Sequence, residues 1–388
     1  MTNRESGELQ EQWRTLGDMA QLLVSCAAGG ACGMLPAMHH RRFLLPLLLA
    51  AGILFAPFRG AAQSVTASDE VDEAIERGLS YLASVQRENG SFPRRHGETG
   101  AISALAGMAF LAKGYTPGSE KFGENINRSI DYILSCVNPT NGYFGVKLPN
   151  QGMYVHAICT LFLTEVSGMV DPARQARIDA VVPNAVKLIL DAQNIGKDVR
   201  DRGGWRYTPT SRDSDMSCSG WVLMALRSAR LNGGKVPGDA IERAVAYVKR
   251  QYNEAEGSFH YQGTSGQYAL TLTGAGILCL ELCGRHNDPA AIKAARYLRS
   301  AFRRLPNEGN RCYGMYYTSQ GLFQMGGEDW LQFEDWMYRT WIPRQRDDGS
   351  WTEEEDSPPY NTAMLVLAFS VPYRQLPIYQ RDETVDED

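Results

Sequence analysis

A tripeptide of glycine, one variable residue and a bulky aromatic recurs along the chain, each time between an amphipathic stretch and a more apolar one rich in small residues. The copies are Gly90-Ser91-Phe92, Gly142-Tyr143-Phe144, Gly203-Gly204-Trp205, Gly257-Ser258-Phe259 and Gly349-Ser350-Trp351, with a weaker one around Tyr313-Gly314-Met315-Tyr316. Repeats of roughly 50 residues signal one supersecondary unit stacked several times, because a single unit cannot bury its own hydrophobic face.

Both halves of the unit have helical periodicity. Before the tripeptides, Val71, Ile75, Leu79 and Leu82, then Ile126, Ile130 and Ile133, then Ile241, Val245 and Val248 make single apolar stripes between charged residues. One stripe suits an outer helix with one buried face. After the tripeptides the sequence is apolar nearly all round, which suits inner helices. These second helices share a register: Ser103-Ala104, His156-Ala157, Ser219-Gly220, Thr273-Gly274 and Thr362-Ala363, with Gln320-Gly321 as a degenerate sixth. The last copy is as apolar as the middle ones, where an open solenoid carries polar capping repeats. The expected fold is therefore all-α, an α/α toroid of six helical hairpins closed into an α6/α6 barrel over residues 69–373.

The ends read differently. His39-His40-Arg41-Arg42, the apolar run Phe43 to Phe58 and the small residues Gly60-Ala61-Ala62 have the order of a secretory signal peptide. The run is shorter than the ~20 residues that span a bilayer and contains Pro46 and Pro57, so no integral membrane span is expected after signal removal. Residues 38–62 are thus the expected leader of an exported protein of the periplasm or cell envelope. Residues 1–37, upstream of Met38, are expected to be a mis-annotated extension, and 374–388 an acidic tail. With 388 residues, 44% of them hydrophobic, and a net charge of -5, the chain can bury a large core and has no electrostatic pull toward nucleic acid. Beyond the leader, Cys136, Cys159, Cys218, Cys279, Cys283 and Cys312 lack the CxxC spacing of a zinc or redox site and read as buried thiols. Cys279 and Cys283 are one helical turn apart, which leaves a bridge between them open.

The run Gly203-Gly204-Trp205-Arg206-Tyr207 through Asp213-Ser214-Asp215-Met216-Ser217-Cys218 resembles the squalene-cyclase segment in which Gly-Gly-Trp precedes an Asp-x-Asp-Asp-Thr-Ala motif. Gln345 with Gly349-Ser350-Trp351 resembles that family's QW repeat, and Gln86 with Gly90-Ser91-Phe92 is a looser copy. The chain thus resembles the terpenoid cyclase and protein prenyltransferase superfamily, and within it the exported single-domain prenyltransferase and squalene-oxidase repeat proteins of bacteria. The resemblance implies the α/α toroid. It also implies Asp215 as the proton donor of a cyclase-like reaction, with Asp213 as the neighbouring carboxylate that helps keep it protonated.

The departures bear on activity. Met216, Ser217 and Cys218 replace the motif's third Asp, Thr and Ala, and one toroid stands where triterpene cyclases have two domains. The alternative reading of Asp213 and Asp215 is that they cap an inner helix. The prenyltransferase zinc needs a late His, and the matching stretch here is Tyr360-Asn361-Thr362-Ala363, so no metal or other cofactor is expected.

In a closed toroid the junctions into the inner helices meet at one mouth. The candidates placed there for ligand binding are Glu98, His156, Arg206, Tyr207, Gln267, Tyr317 and Tyr360, alongside Asp213 and Asp215 as candidate catalytic acids. His156 also admits the reading of a satisfied core histidine. A mouth ringed by tyrosines suits an isoprenoid or other amphipathic small molecule, or a protein or glycan of the envelope.

Overall fold

The structure, a computed structural model, describes residues 64–93, 99–148, 150–266, 268–352 and 357–380. The expected leader, the extension before it and the chain beyond 380 lie outside the described residues. Twelve α-helices follow one another in these segments: α1 (Ser64–Val85), α2 (Gly100–Ala112), α3 (Gly123–Ser135), α4 (Gly152–Val166), α5 (Pro172–Gln193), α6 (Met216–Leu231), α7 (Gly238–Arg250), α8 (Ala269–Leu282), α9 (Pro289–Ala301), α10 (Arg311–Met325), α11 (Gly327–Trp341) and α12 (Pro358–Ser370). A two-residue antiparallel pair, Tyr252–Asn253 with Ser258–Phe259, is the one sheet among them.

Odd- and even-numbered helices differ as their sequences require. The even helices are buried nearly all round, and every residue of α4 from Val155 to Val166 is buried. The odd ones bury a stripe, such as Ile241, Val245 and Val248 of α7, and are started by local signals. Asp171 and Asp288 cap α5 and α9, each followed by a proline at the first helical position, where its missing N–H costs nothing.

The even helices pack side by side in the order α2, α4, α6, α8, α10, α12, and α12 returns to α2. The ring is closed, and the fold is the all-α toroid expected. Its tightest approach is between α8 and α10, where a Cβ on Gly274 would lie 2.5 Å from the backbone nitrogen of Thr318.

Two details differ from the expected repeat. Five of the six outer helices pack chiefly on the inner helix before them and α7 is shared evenly between α6 and α8, so α1 backs α12 and the first helix completes the last hairpin. The tripeptide joins hairpins rather than lying within one. The sixth tripeptide is absent as a loop: Tyr313-Gly314-Met315-Tyr316 lies inside α10, which is entered from a 3-10 segment, Phe302–Asn307.

The packed chain also continues past 373. Leu376, Ile378 and Tyr379 are buried, and Glu165 near the end of α4 accepts hydrogen bonds from Ser228 Oγ and, at 3.1 Å, from the backbone N–H of Ile378. All six described cysteines are free thiols, five of them buried.

Candidate functional site

The tripeptides build one end of the ring. Gly90, Gly142, Gly203, Gly257 and Gly349 all have φ between +74° and +90°, a region that L side chains avoid. The left-handed turn lays each glycine on the next outer helix and drives the following aromatic inward: Phe92, Phe144, Trp205, Phe259 and Trp351 are at most 2% exposed. A glutamine braces the turn. Gln86, Gln193 and Gln345 donate to the carbonyls of Gly90, Gly203 and Gly349 and also to Asn125, Ala240 and Ala74 on the neighbouring outer helices.

The polar residue of the inner-helix register holds the aromatic's backbone. The N–H groups of Trp205, Phe259 and Trp351 donate to Ser219 Oγ, Thr273 Oγ1 and Thr362 Oγ1 at 2.9, 3.1 and 3.0 Å. His156 does the same work in the second repeat: its Nδ1 accepts from Phe144 N–H at 3.3 Å, which leaves Nε2–H to donate to Ala185 O at 3.0 Å. Burial lowers this imidazole to about 4, with the Ala185 bond acting in the opposite direction. His156 is a fully buried joint of the scaffold, and it does not reach the mouth.

At the mouth lies a cavity of about 600 Å³ to which every inner helix contributes a wall. Ala101, Ile102 and Leu105 of α2 and Val155 and Ile158 of α4 make an apolar side. Facing them are Ser217 and Trp221 of α6, Thr271 of α8, Tyr313 of α10 and Tyr360 of α12, with Arg206, Tyr207, Tyr261 and Tyr268 from the loops. Tyr154 hydrogen-bonds Ser217, and Tyr207 hydrogen-bonds Tyr261, hydroxyl to hydroxyl in both cases.

Arg206 is the one charged side chain among the described lining residues. Its Nη1 donates to Asp213 Oδ2 at 2.7 Å, its Nε lies 3.6 Å from Asp215 Oδ2, and its guanidinium sits 4.6 Å from the ring centre of Tyr207. Asp213 is half exposed, at 55% of its side chain. Asp215 is fully buried and caps α6: Oδ1 accepts from Cys218 N–H and Ser217 Oγ, both at 2.8 Å. Burial raises its carboxyl to about 6, opposed by those two hydrogen bonds and by Arg206, while Asp213 adds the smallest effect.

Of the expected ligand-binding residues, Arg206, Tyr207 and Tyr360 line the cavity. Tyr317 does not; it is buried behind Trp221, with ring centres 5.4 Å apart. Asp215 is also outside the lining and touches it through Ser217 and Arg206. Glu98 and Gln267 lie outside the described residues. Sequence reasoning missed Trp221, Tyr261 and Tyr313. Tyr261 was discoverable, because Trp205-Arg206-Tyr207 and Phe259-His260-Tyr261 share one spacing, and their carbonyls play one part: Tyr207 O accepts from Met153 N–H and Tyr261 O from Met216 N–H. No three or more His, Cys, Asp and Glu side chains among the described residues converge as a metal site would require.

No protein-family profile matches the chain, and no curated protein matches it in sequence. Solved structures do. The chain is similar to the type II terpene cyclase MstE from Scytonema in complex with geranylgeranyl dihydroxybenzoate, at 12% identity and a TM-score of 0.56, over 80% of this chain and 99% of that one. It is similar to the α-1,6-mannanase GH76A of Salegentibacter sp. HEL1_6, an inactive variant in complex with α-1,6-mannotriose, at 12% identity and a TM-score of 0.57, over 77% and 98%. A protein from Actinoplanes matches at 14% identity and a TM-score of 0.52, over 77% and 98%. At such identities the likeness is one of fold, the α/α toroid.

Proposed function

We propose that the protein binds an amphipathic small molecule in the cavity at the mouth of the toroid, acting in the cell envelope if the expected leader exports it. The apolar part lies on the wall from α2 and α4, and the polar end lies among the phenols around Arg206. One observation carries the reading: six inner helices converge on a single cavity with an apolar side and a hydroxyl-lined side. Its volume of about 600 Å³ falls within the ~300–1,000 Å³ of small-molecule sites. The neighbouring toroids support it, since one holds a geranylgeranyl dihydroxybenzoate and another a mannotriose.

The experiment is native mass spectrometry of the full chain purified from its own cells, beside Ala101→Trp, which fills the apolar side from a half-buried position. A retained small amphipath is expected in the wild type and not in the variant. A wild type without adduct, or an adduct that persists in Ala101→Trp, contradicts the reading.

A cyclase-like reaction with Asp215 as general acid is the second reading. It is supported by the raised carboxyl of Asp215, which stays protonated to about 6, and by its link through Ser217 to Tyr154 on the cavity wall. It requires the bound isoprenoid to leave the wild type rearranged and to accumulate unmodified in Asp215→Asn. The binding reading requires the same unmodified molecule from both.

A further inference from the structure

We propose that the polar end of this ligand is uncharged and rich in hydroxyls, as in a saccharide or other polyol headgroup, and is not a phosphate or carboxylate. The proposal rests on the amphipathic-ligand reading and specifies its headgroup.

The argument starts from Arg206, the cation an anionic headgroup would seek. Its charge is already matched twice, by Asp213 at 2.7 Å and by Asp215 at 3.6 Å. An anion that took the guanidinium would displace Asp213 and draw the cation from Asp215, whose Oδ2 is buried and has no hydrogen-bond partner among the described residues. A buried carboxylate left without its cation is a large penalty, so the pair of acids guards Arg206 against anions.

The remaining polar groups on that side are neutral. Burial keeps the Tyr154 and Tyr313 phenols well above their ordinary value of 10.0, so they face the cavity as hydroxyls. The Tyr207–Tyr261 pair uses one proton between two oxygens and still has a donor and lone pairs to offer, while Tyr154, which donates to Ser217 because the Ser217 proton goes to Asp215, offers lone pairs. Alternating donors and acceptors beside aromatic faces match the vicinal hydroxyls and C–H faces of a sugar or polyol, and they offer a phosphate too few charges.

Isothermal titration of the full chain at pH 7.5 with octyl β-glucoside and octyl phosphate, both below their micelle concentrations, tests this. The two probes share the apolar chain and differ in headgroup. The glucoside is expected to bind at least tenfold more tightly, and Asp213→Asn, which releases Arg206 from an exposed partner, is expected to raise octyl phosphate affinity at least fivefold relative to the glucoside. Octyl phosphate binding as tightly as the glucoside in the wild type overturns the headgroup assignment and leaves the amphipathic reading standing. Binding of neither probe, or equal binding to Ala101→Trp, overturns both.

Discussion

A Cβ placed on Gly349 would lie 2.4 Å from the carbonyl oxygen of Arg77, so the last tripeptide is seated on the backbone of the first helix. The contact is reinforced by Arg77 Nη2 donating to Arg346 O at 2.7 Å and by Gln345 donating to Ala74 O at 2.8 Å. These bonds join the two ends of the folded chain and shut the ring.

Gly349→Ala therefore meets two obstacles, a φ of +86° and a backbone oxygen that cannot step aside. The expected loss is about 3 kcal/mol, the left-handed penalty plus the steric contact. Urea unfolding is the measurement. Gly118→Ala, whose added Cβ meets nothing within 4 Å, is the control and should change stability by less than ~0.5 kcal/mol.

His156 gives a signed pH dependence. The folded protein holds it near 4 against an ordinary 6.5, so the unfolded chain binds more protons between those values. Stability from this residue is full above about 6.5 and falls as pH drops through the window, by about 3 kcal/mol in all. A glutamine can accept from Phe144 N–H and does not titrate. The stability advantage of wild type over His156→Gln should thus shrink between pH 6.5 and 4, and a gap independent of pH would refute the buried neutral imidazole.

Asp215 is required by α6 whether or not it has a chemical role. Asp215→Ala removes the acceptor for Cys218 N–H and leaves Arg206 with one partner, an expected cost of about 1–2 kcal/mol. Asp215→Asn keeps the side-chain acceptor and should cost less than half as much. Thermal unfolding of the pair at pH 7.5 checks the order.

Glu165 ties the final segment to the ring. Burial raises its carboxyl to about 7, against the bonds from Ser228 and Ile378, so the fold prefers the protonated form. Its contribution is complete below about 4.5 and declines as pH rises through 7. Wild type should lose stability relative to Glu165→Gln over that interval. Amide exchange should show Ile378 losing protection in Glu165→Ala, with the α2 amides unchanged.

The toroid was legible because its signals repeat: the apolar inner helices, the left-handed glycine and the buried aromatic each recur in register. Which inner helix an outer one backs was not legible, because a single apolar stripe states that one face is buried and not against what. At the mouth, position along an inner helix was readable and side-chain direction was not. Tyr360 points into the cavity, whereas His156 and Tyr317, placed by the same reasoning, point into packed layers. His156 was ambiguous because Ser219, Thr273 and Thr362 hold the equivalent position, and a histidine among hydroxyl residues looks chemical when it is structural. Tyr313 was not legible because the weak tripeptide around it, expected between two helical stretches, lies inside α10.

The proposed ligand sits in the cavity among the six inner helices. A crystal of the full chain soaked with 8-bromooctyl β-glucoside tests it through the anomalous signal of bromine. One bromine peak is expected against Ile102 and Ile158, with the sugar toward Tyr207 and Tyr261. Bromine bound only on the outer helices, with the cavity unchanged, would contradict it.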